Sequence, residues 1–292
     1  MSRDENAVEP GYYSESLDPG RAERLVLRFP ECELIVLPSE DGMVKLELEL
    51  NGNRSQLSGW KPSIRRSEGI LIVADESCDE VVAKVARVRV PACIRDIEAH
   101  AVSGSIEIRN LIVDLLADTE SGDIRVAGGS SVEASSFEGG VEIEGARKVS
   151  ARLVSGALRC REISDSIDAE TQSGDITVES SEGNVIAQSE SGDISVLRPG
   201  GRLRVSGGSG DVELELQGHF AGGEVSTTTG DISLAISGSD LDLRAETLSG
   251  RLDAPGAEQP ITTGPRRCAI RVGSGGRRLH IKSVSGDIEI EN

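Results

Sequence analysis

Aromatic side chains are nearly absent from this sequence, which contains one Trp, two Tyr and three Phe among 292 residues. Without large rings, a core has to be filled by Ile, Val, Leu and Ala in narrow, evenly spaced layers. Phe137 and Phe220 are interpreted as core fillers or turn plugs. The scarcity also removes the platforms on which polysaccharide-degrading β-helix enzymes stack sugar rings. The composition therefore favours a repeat protein and disfavours an enzyme of that class.

Paired cysteines and long apolar runs are absent too. No two Cys form a Cys-x-x-Cys pair, and no stretch approaches the roughly eighteen apolar residues of a membrane span. The N-terminus is acidic and polar, without the apolar centre of a signal peptide. We therefore expect a soluble, cytoplasmic protein with free and mostly buried thiols at Cys32, Cys78, Cys93, Cys160 and Cys268.

Positive charge is in short supply. The 31 Lys and Arg residues are outnumbered by 50 Asp and Glu, which gives a formal net charge of −19 at pH 7. A surface of this sign repels nucleic-acid phosphates and anionic lipids. We therefore predict no nucleic-acid partner.

The sequence does contain a repeat that begins with a Ser-Gly-Asp-Ile-like turn. Clear copies are SGDITV at Ser173, SGDISV at Ser191 and SGDIEI at Ser285. Successive turn glycines are 18, 17, 17, 18, 18, 18, 20, 20 and 36 residues apart, and the last gap is interpreted as two periods with one degenerate coil. These glycines are Gly104, Gly122, Gly139, Gly156, Gly174, Gly192, Gly210, Gly230, Gly250 and Gly286.

Apolar residues alternate within each repeat, as in Ile176 and Val178, while Asp175 and Thr177 take the other face. A period of two indicates a strand, and a second apolar pair later in each repeat indicates a second strand. Such coils bury their side chains and pair their backbone only by stacking, about 4.8 Å apart. The predicted fold is all-β: a single-stranded parallel β-solenoid of about 18-residue coils over residues 98–292, with right-handed winding preferred.

Residues 21–97 break this period. Their apolar segments are longer, as in MVKLELEL at Met43, and polar turns such as residues 39–42 separate them. This pattern predicts antiparallel hairpins that form a β cap on the first coil, since terminal repeats otherwise leave core and strand edges in water. Residues 1–20 are predicted to be a disordered tail.

The irregular β segment, the Val-x-Val-Pro transition from Val88 to Pro91 and the tandem SGDI turns together resemble the bacterial putative-adhesin β-solenoid family. The resemblance spans roughly residues 24–292. It implies the solenoid fold and an adhesive or surface role. The family has no catalytic residues that would carry over to this chain.

The turn aspartates are the most repeated polar groups. Their structural interpretation is that Gly adopts a backbone angle that other residues resist, while Ser and Asp side chains bind turn amides. The functional alternative is that Asp175, Asp193, Asp211 and Asp231 form a carboxylate ladder that recruits Ca²⁺ or Mg²⁺ weakly.

Other groups that could carry chemistry are isolated. The three histidines, His100, His219 and His280, have no Cys or His at metal-ligand spacing. No nucleophile elbow and no phosphate loop followed by a helix is present. We therefore assign no catalytic, cofactor-binding or metal-binding residue and expect no cofactor.

The preferred function is a non-catalytic scaffold or protein-interaction module built on an acidic solenoid, with an unidentified protein partner. One alternative is a bactofilin-like structural protein that polymerises end to end, and a less favoured one is a polysaccharide-active β-helix enzyme. The sequence stops within a repeat, which predicts an exposed final strand edge. We expect the negative charges of Asp287, Glu289 and Glu291 along this edge to oppose end-to-end stacking of chains. We therefore expect a monomer or a weak dimer.

Overall fold

The computed structural model describes residues 8–57, 59–76, 81–218, 220–238, 240–254 and 265–291. The chain divides into two compact units, an N-terminal unit of residues 1–140 and a C-terminal unit of residues 141–292. Nearly all regular structure is β, as predicted. None of the described helices is long and apolar enough to cross a membrane.

The N-terminal unit contains two sheets of six strands. Their orders are β1-β4-β7-β3-β9-β11 and β5-β6-β2-β8-β10-β12. The elements are β1 (Val8–Leu17), β2 (Arg24–Arg28), β3 (Glu33–Ser39), β4 (Val44–Asn53), α1 (Arg54–Leu57), β5 (Ser63–Ser67), β6 (Ile70–Ala74), β7 (Val81–Pro91), β8 (Asp96–Ser103), β9 (Ile106–Leu111), β10 (Asp114–Ser121), β11 (Ile124–Gly128) and β12 (Ser131–Glu138).

Antiparallel strands are present at the N-terminus, as predicted, but they are interleaved with coil strands. Strand β4 runs antiparallel to β1 and β7, and β5 runs antiparallel to β6. Strands β2 and β3 already run parallel to β8 and β9 and form a first coil. The predicted disorder of residues 1–20 is wrong for residues 8–17, because β1 pairs with β4 over its whole length. Residues 1–7 lie outside the described part of the chain, and the boundary at residue 97 stays a prediction.

The C-terminal unit contains two sheets of eight strands. We call them sheet A, in the order β13-β15-β17-β19-β21-β23-β28-β25, and sheet B, in the order β14-β16-β18-β20-β22-β27-β24-β26. The strands are β13 (Val141–Glu144), β14 (Lys148–Ser155), β15 (Leu158–Arg161), β16 (Ser166–Ser173), β17 (Ile176–Glu179), β18 (Asn184–Ser191), β19 (Ile194–Leu197), β20 (Leu203–Ser209), β21 (Val212–Gln217), β22 (Gly223–Thr229), β23 (Ile232–Ser237), β24 (Leu241–Thr247), β25 (Leu252–Asp253), β26 (Arg266–Val272), β27 (Arg277–Ser285) and β28 (Ile288–Glu291).

Each coil contributes one strand to sheet B and the next to sheet A, with the core between them. Ile194 pairs with Ile176 on one side and Val212 on the other, and all three side chains are at most 1% exposed. The predicted internal ladder is thus confirmed. Phe220 is fully buried, but Phe137 is 56% exposed because it occupies an outward position of β12 next to the inward Ser136.

The turn glycines stack directly on one another. A Cβ on Gly174 would lie 2.0 Å from the carbonyl oxygen of Gly156, and one on Gly192 would lie 2.2 Å from that of Gly174. Carbon and oxygen atoms cannot approach this closely, so these coils need a residue without a side chain at the corner where they stack on the preceding coil. The Ser189 hydroxyl donates to the Gly174 carbonyl at 3.2 Å and further fixes this corner.

The last coil in the sequence is not the last coil in space. Strand β27 lies between β22 and β24, and β28 lies between β23 and β25, so the stacking order of the turn glycines is Gly230, Gly286, Gly250. The gap of 36 residues is therefore not two periods with a degenerate coil. The predicted exposed edge at residues 285–292 is wrong for the same reason, because β28 is paired on both sides.

A short crossing loop allows this insertion. Strand β24 pairs antiparallel with β26 on one side and parallel with β27 on the other, so residues 273–276 cross its start. Asp240 accepts a hydrogen bond from the Ser274 amide at 2.8 Å, and Asp242 accepts one from the Gly276 amide at 3.2 Å. The bond to Ser274 lowers the pKa of Asp240. Through these hydrogen bonds, the two carboxylates hold residues 273–276 against the start of β24.

We predict that Gly174→Ala destabilises the protein by about 1–3 kcal/mol or more, because its methyl group would overlap the Gly156 carbonyl. Gly59→Ala is the matched control, since no atom lies within 4 Å of the Cβ position there. Neither glycine has φ in the left-handed range, so the comparison isolates the close approach. Urea unfolding followed by circular dichroism measures both, and equal midpoints would contradict the stacking constraint.

Candidate functional site

The turn aspartates bind the backbone of the next coil. Asp175 Oδ1 accepts a hydrogen bond from the Asp193 amide at 3.0 Å, and Asp193 Oδ1 accepts one from the Asp211 amide at 2.8 Å. Asp211 binds the Asp231 amide in the same way at 2.8 Å. These bonds match the structural interpretation of the Ser-Gly-Asp turn.

The series of bonds continues through the inserted coil. Asp231 accepts from the Asp287 amide, and Asp287 accepts from the Arg251 amide, both at 2.7 Å. The amide and the guanidinium of Arg251 lower the pKa of Asp287. In the described ranges of the chain, no group of three or more His, Cys, Asp or Glu is placed to hold a metal ion.

The histidines are separated from one another. His100 lies in the N-terminal unit between two acids, with Nε2 3.9 Å from Glu98 and Nδ1 3.7 Å from Asp118. His219 lies outside the described residues. His280 points outward from β27 on sheet B, in a region rich in arginine.

The outer face of sheet B forms a groove at the C-terminal coils. One row of outward residues runs from Arg204 through Glu224 and His280 to Arg244, on the neighbouring strands β20, β22, β27 and β24. The hollow over β20, β22 and β27, which also reaches the start of β18, has a volume of about 920 Å³. A second hollow of about 570 Å³ shares His280 with it and continues toward β26.

A second row of basic residues lies two positions earlier. Arg202 precedes β20, Arg278 lies in β27, and Arg271 of β26 faces Asp242 of β24. Register stacking therefore brings together side chains that are far apart in sequence. We call this surface the arginine groove; its basic residues are Arg202, Arg204, Arg244, Arg271, Arg277, Arg278 and His280.

Several of these guanidinium groups have no acidic partner. Arg271 pairs with Asp242 at 3.1 Å, but Arg202, Arg204 and Arg244 have no carboxylate within 4 Å among the residues that the structure describes. Earlier in the same unit, Arg147, Arg152 and Arg161 have carboxylate partners, as Arg161 has in Glu179 at 3.3 Å, and Arg159, which has no such partner among the described residues, is an isolated case on sheet A. The groove thus concentrates exposed, uncompensated positive charge in a chain of net charge −19.

The groove was not predicted from the sequence, because the net charge of the whole chain was considered and the positions of individual arginines were not. The detectable signal was the spacing of Arg202 and Arg204, which places both on one face of a strand. Their spatial neighbours Arg278 and His280 could not be found by the 18-residue period, because the coil that carries them is inserted out of order.

The geometry defines a class of protein: a two-sheet parallel β-solenoid whose coils stack on corner glycines. A family model described as Toastrack DUF4097 matches residues 33–291. The chain therefore belongs to the Toastrack family. No curated protein matches the sequence significantly.

Several solved structures are similar to this chain. A protein of Parabacteroides distasonis named as a putative lipid binding protein is 11% identical, with 96% of each chain covered and a TM-score of 0.41. A putative adhesin of the same organism is 8% identical over 96% of this chain and 97% of that chain, with a TM-score of 0.40. A putative adhesin of Parabacteroides merdae is 9% identical over 97% of both chains, with a TM-score of 0.37.

The cysteines in the described residues are free thiols in different surroundings. Cys32 and Cys160 are buried, and burial raises the pKa of each thiol to about 12. Cys268 is partly buried, while Cys93 is exposed. Cys78 lies outside the described residues.

We predict that iodoacetamide at pH 8 alkylates Cys93 rapidly and leaves Cys32 and Cys160 unmodified in the folded protein. A thiol with a pKa near 12 is ionised in only about one molecule in ten thousand at this pH, and burial blocks access as well. Peptide mass spectrometry with and without denaturant measures the labelling. Fast alkylation of Cys160 without denaturant would contradict the packing of this core.

We predict that Asp193→Asn leaves stability nearly unchanged, because the amide oxygen can still accept the Asp211 hydrogen bond. Asp193→Ala removes the acceptor and should cost about 0.5–1.5 kcal/mol. Thermal unfolding with and without Ca²⁺ compares the three proteins. A large loss in Asp193→Asn, together with Ca²⁺ stabilisation of the wild type alone, would favour the cation ladder instead.

Proposed function

We propose that this chain is a non-catalytic protein-interaction module whose arginine groove binds an acidic polypeptide. The observation that carries this proposal is the set of exposed arginines without carboxylate partners, Arg202, Arg204 and Arg244. Guanidinium groups bind carboxylates through paired, charge-assisted hydrogen bonds. A surface of opposite sign to the rest of the molecule selects and orients its partner.

The lining of the groove favours a polypeptide over other polyanions. It contains no Phe, Trp or Tyr on which nucleobases or sugar rings could stack. Outward residues two positions apart on a strand, such as Arg202 and Arg204, lie about 7 Å apart. Carboxylates at alternate positions of an extended peptide have the same spacing.

The groove also offers little support for catalysis. His280 lies directly opposite Glu224 on the neighbouring strand, a pairing that could orient a base. No Ser, Thr or Cys lines the groove beside them as a nucleophile. We therefore favour binding over covalent chemistry at this surface.

End-to-end polymerisation, the bactofilin-like alternative, receives less support. At the C-terminal coils, the outermost strand of sheet A is β25, which has only two residues. The outermost strand of sheet B is β26, which carries Arg266, Arg267 and Arg271. Short and charged edge strands oppose the addition of another chain.

For the compartment we propose the cytoplasm, because the cysteines in the described residues are free thiols, which are typical of a reducing compartment.

The test uses fluorescein-labelled deca-glutamate as the acidic peptide, with binding measured by fluorescence anisotropy at about 0.1 M salt. We predict that Arg204→Glu weakens binding at least about fivefold, which corresponds to one exposed charge pair. Arg159→Glu is the matched control, because Arg159 is also exposed, on the outer side of β15 in sheet A, and the change in net charge is the same. Equal affinities of the two variants, or no binding by the wild type, would contradict the proposal.

A further inference from the structure

The two faces of the C-terminal coils carry opposite charge. Strands β21, β23, β28 and β25 of sheet A contain no Arg, Lys or His. Their outward positions include five acids, which we call the acidic face: Glu213, Glu215, Asp253, Glu289 and Glu291. These strands belong to the same coils as the arginine groove, so a basic surface and an acidic surface lie on opposite sides of one core.

The acidic face lacks cationic partners as well. Glu213 accepts a hydrogen bond from Ser195, and Glu215 accepts one from Gln217. No Lys or Arg in the described part of the chain lies within 4 Å of any of the five carboxylates. Ser233 separates Glu213 from Glu289 in one row across the sheet, whereas Asp253 lies directly opposite Glu289.

The spacing of the acids matches that of the arginines. Glu213 and Glu289 lie two strands apart on sheet A, as Arg202 and Arg278 do on sheet B, which is about 10 Å in each case. Along the strands, Glu215 follows Glu213 by two residues, as Arg204 follows Arg202. The match arises because both sheets are built from the same stacked coils.

We propose that the arginine groove of one copy of this chain binds the acidic face of a second copy. This inference rests on the proposed function, since it names the acidic partner of the same groove. Stacked sheets lie about 10 Å apart, a distance that facing Arg and Glu side chains can bridge. Groove against groove, or acidic face against acidic face, would place like charges together and is disfavoured.

The contact is heterologous, so each copy keeps one free groove and one free acidic face. Such contacts extend into open chains or close into rings. Because the contact consists of exposed ion pairs, we expect weak association at roughly 0.1–1 mM protein. It should disappear at 1 M salt, where the screening length is about 3 Å.

The deciding experiment is charge exchange, followed by sedimentation velocity at about 0.1 M salt. Variant one carries Arg204→Glu and Arg244→Glu, and variant two carries Glu213→Arg and Glu289→Arg. All four residues are at outward strand positions, so both variants should fold, which circular dichroism checks. We expect the wild type to associate, each variant alone to be monomeric, and an equimolar mixture of the variants to associate again.

A mixture that stays monomeric, or association that persists at 1 M salt, would overturn the contact between copies. Deca-glutamate binding by a wild type that does not self-associate would refute this inference and leave the proposed function intact. Heparin binding by the groove without deca-glutamate binding or self-association would refute both and assign the groove to a sulfated polyanion. If the wild type does not self-associate and binds neither deca-glutamate nor heparin, both proposals fail.

Discussion

The stacking of corner glycines on the backbone carbonyl at the same corner of the neighbouring coil constrains the rest of the structure. A Cβ on Gly210 would lie 2.2 Å from the Gly192 carbonyl oxygen, so neither the register nor the residue at this corner can change without a clash. Once the register is set at one corner, both strands of every coil follow. Inward positions then form continuous apolar ladders, and outward positions form rows that cross the sheets.

Because of these rows, the order in which the coils stack decides which outward side chains lie next to one another on the surface. Arg204 acquires Glu224 as a neighbour from the adjacent coil, and with the insertion of β27 and β28 the next residue in that row is His280. The insertion itself depends on local chemistry, since Asp240 and Asp242 hold the crossing loop over β24. The groove is therefore a product of coil order as much as of composition.

Much of the fold could be predicted because it follows from local patterns. The period of the turn glycines and the alternation around Ile194 predicted the parallel coils, the two strands per coil and the core ladder. The order of the last coils could not be predicted, because a gap of 36 residues between Gly250 and Gly286 is compatible with one further coil or with a strand that runs out and back. The groove was missed since a net charge of −19 conceals how charges are arranged in space.

The coil formed by β27 and β28 lies between two others and so completes the rows of the groove. Hydrogen exchange of the backbone amides in β28 tests this claim most directly, because amides of a strand point alternately to its two neighbours. We predict that all amides of residues 288–291 exchange slowly, since β28 pairs with both β23 and β25. Rapid exchange at alternate residues of β28 would show a free edge and would contradict the inserted coil.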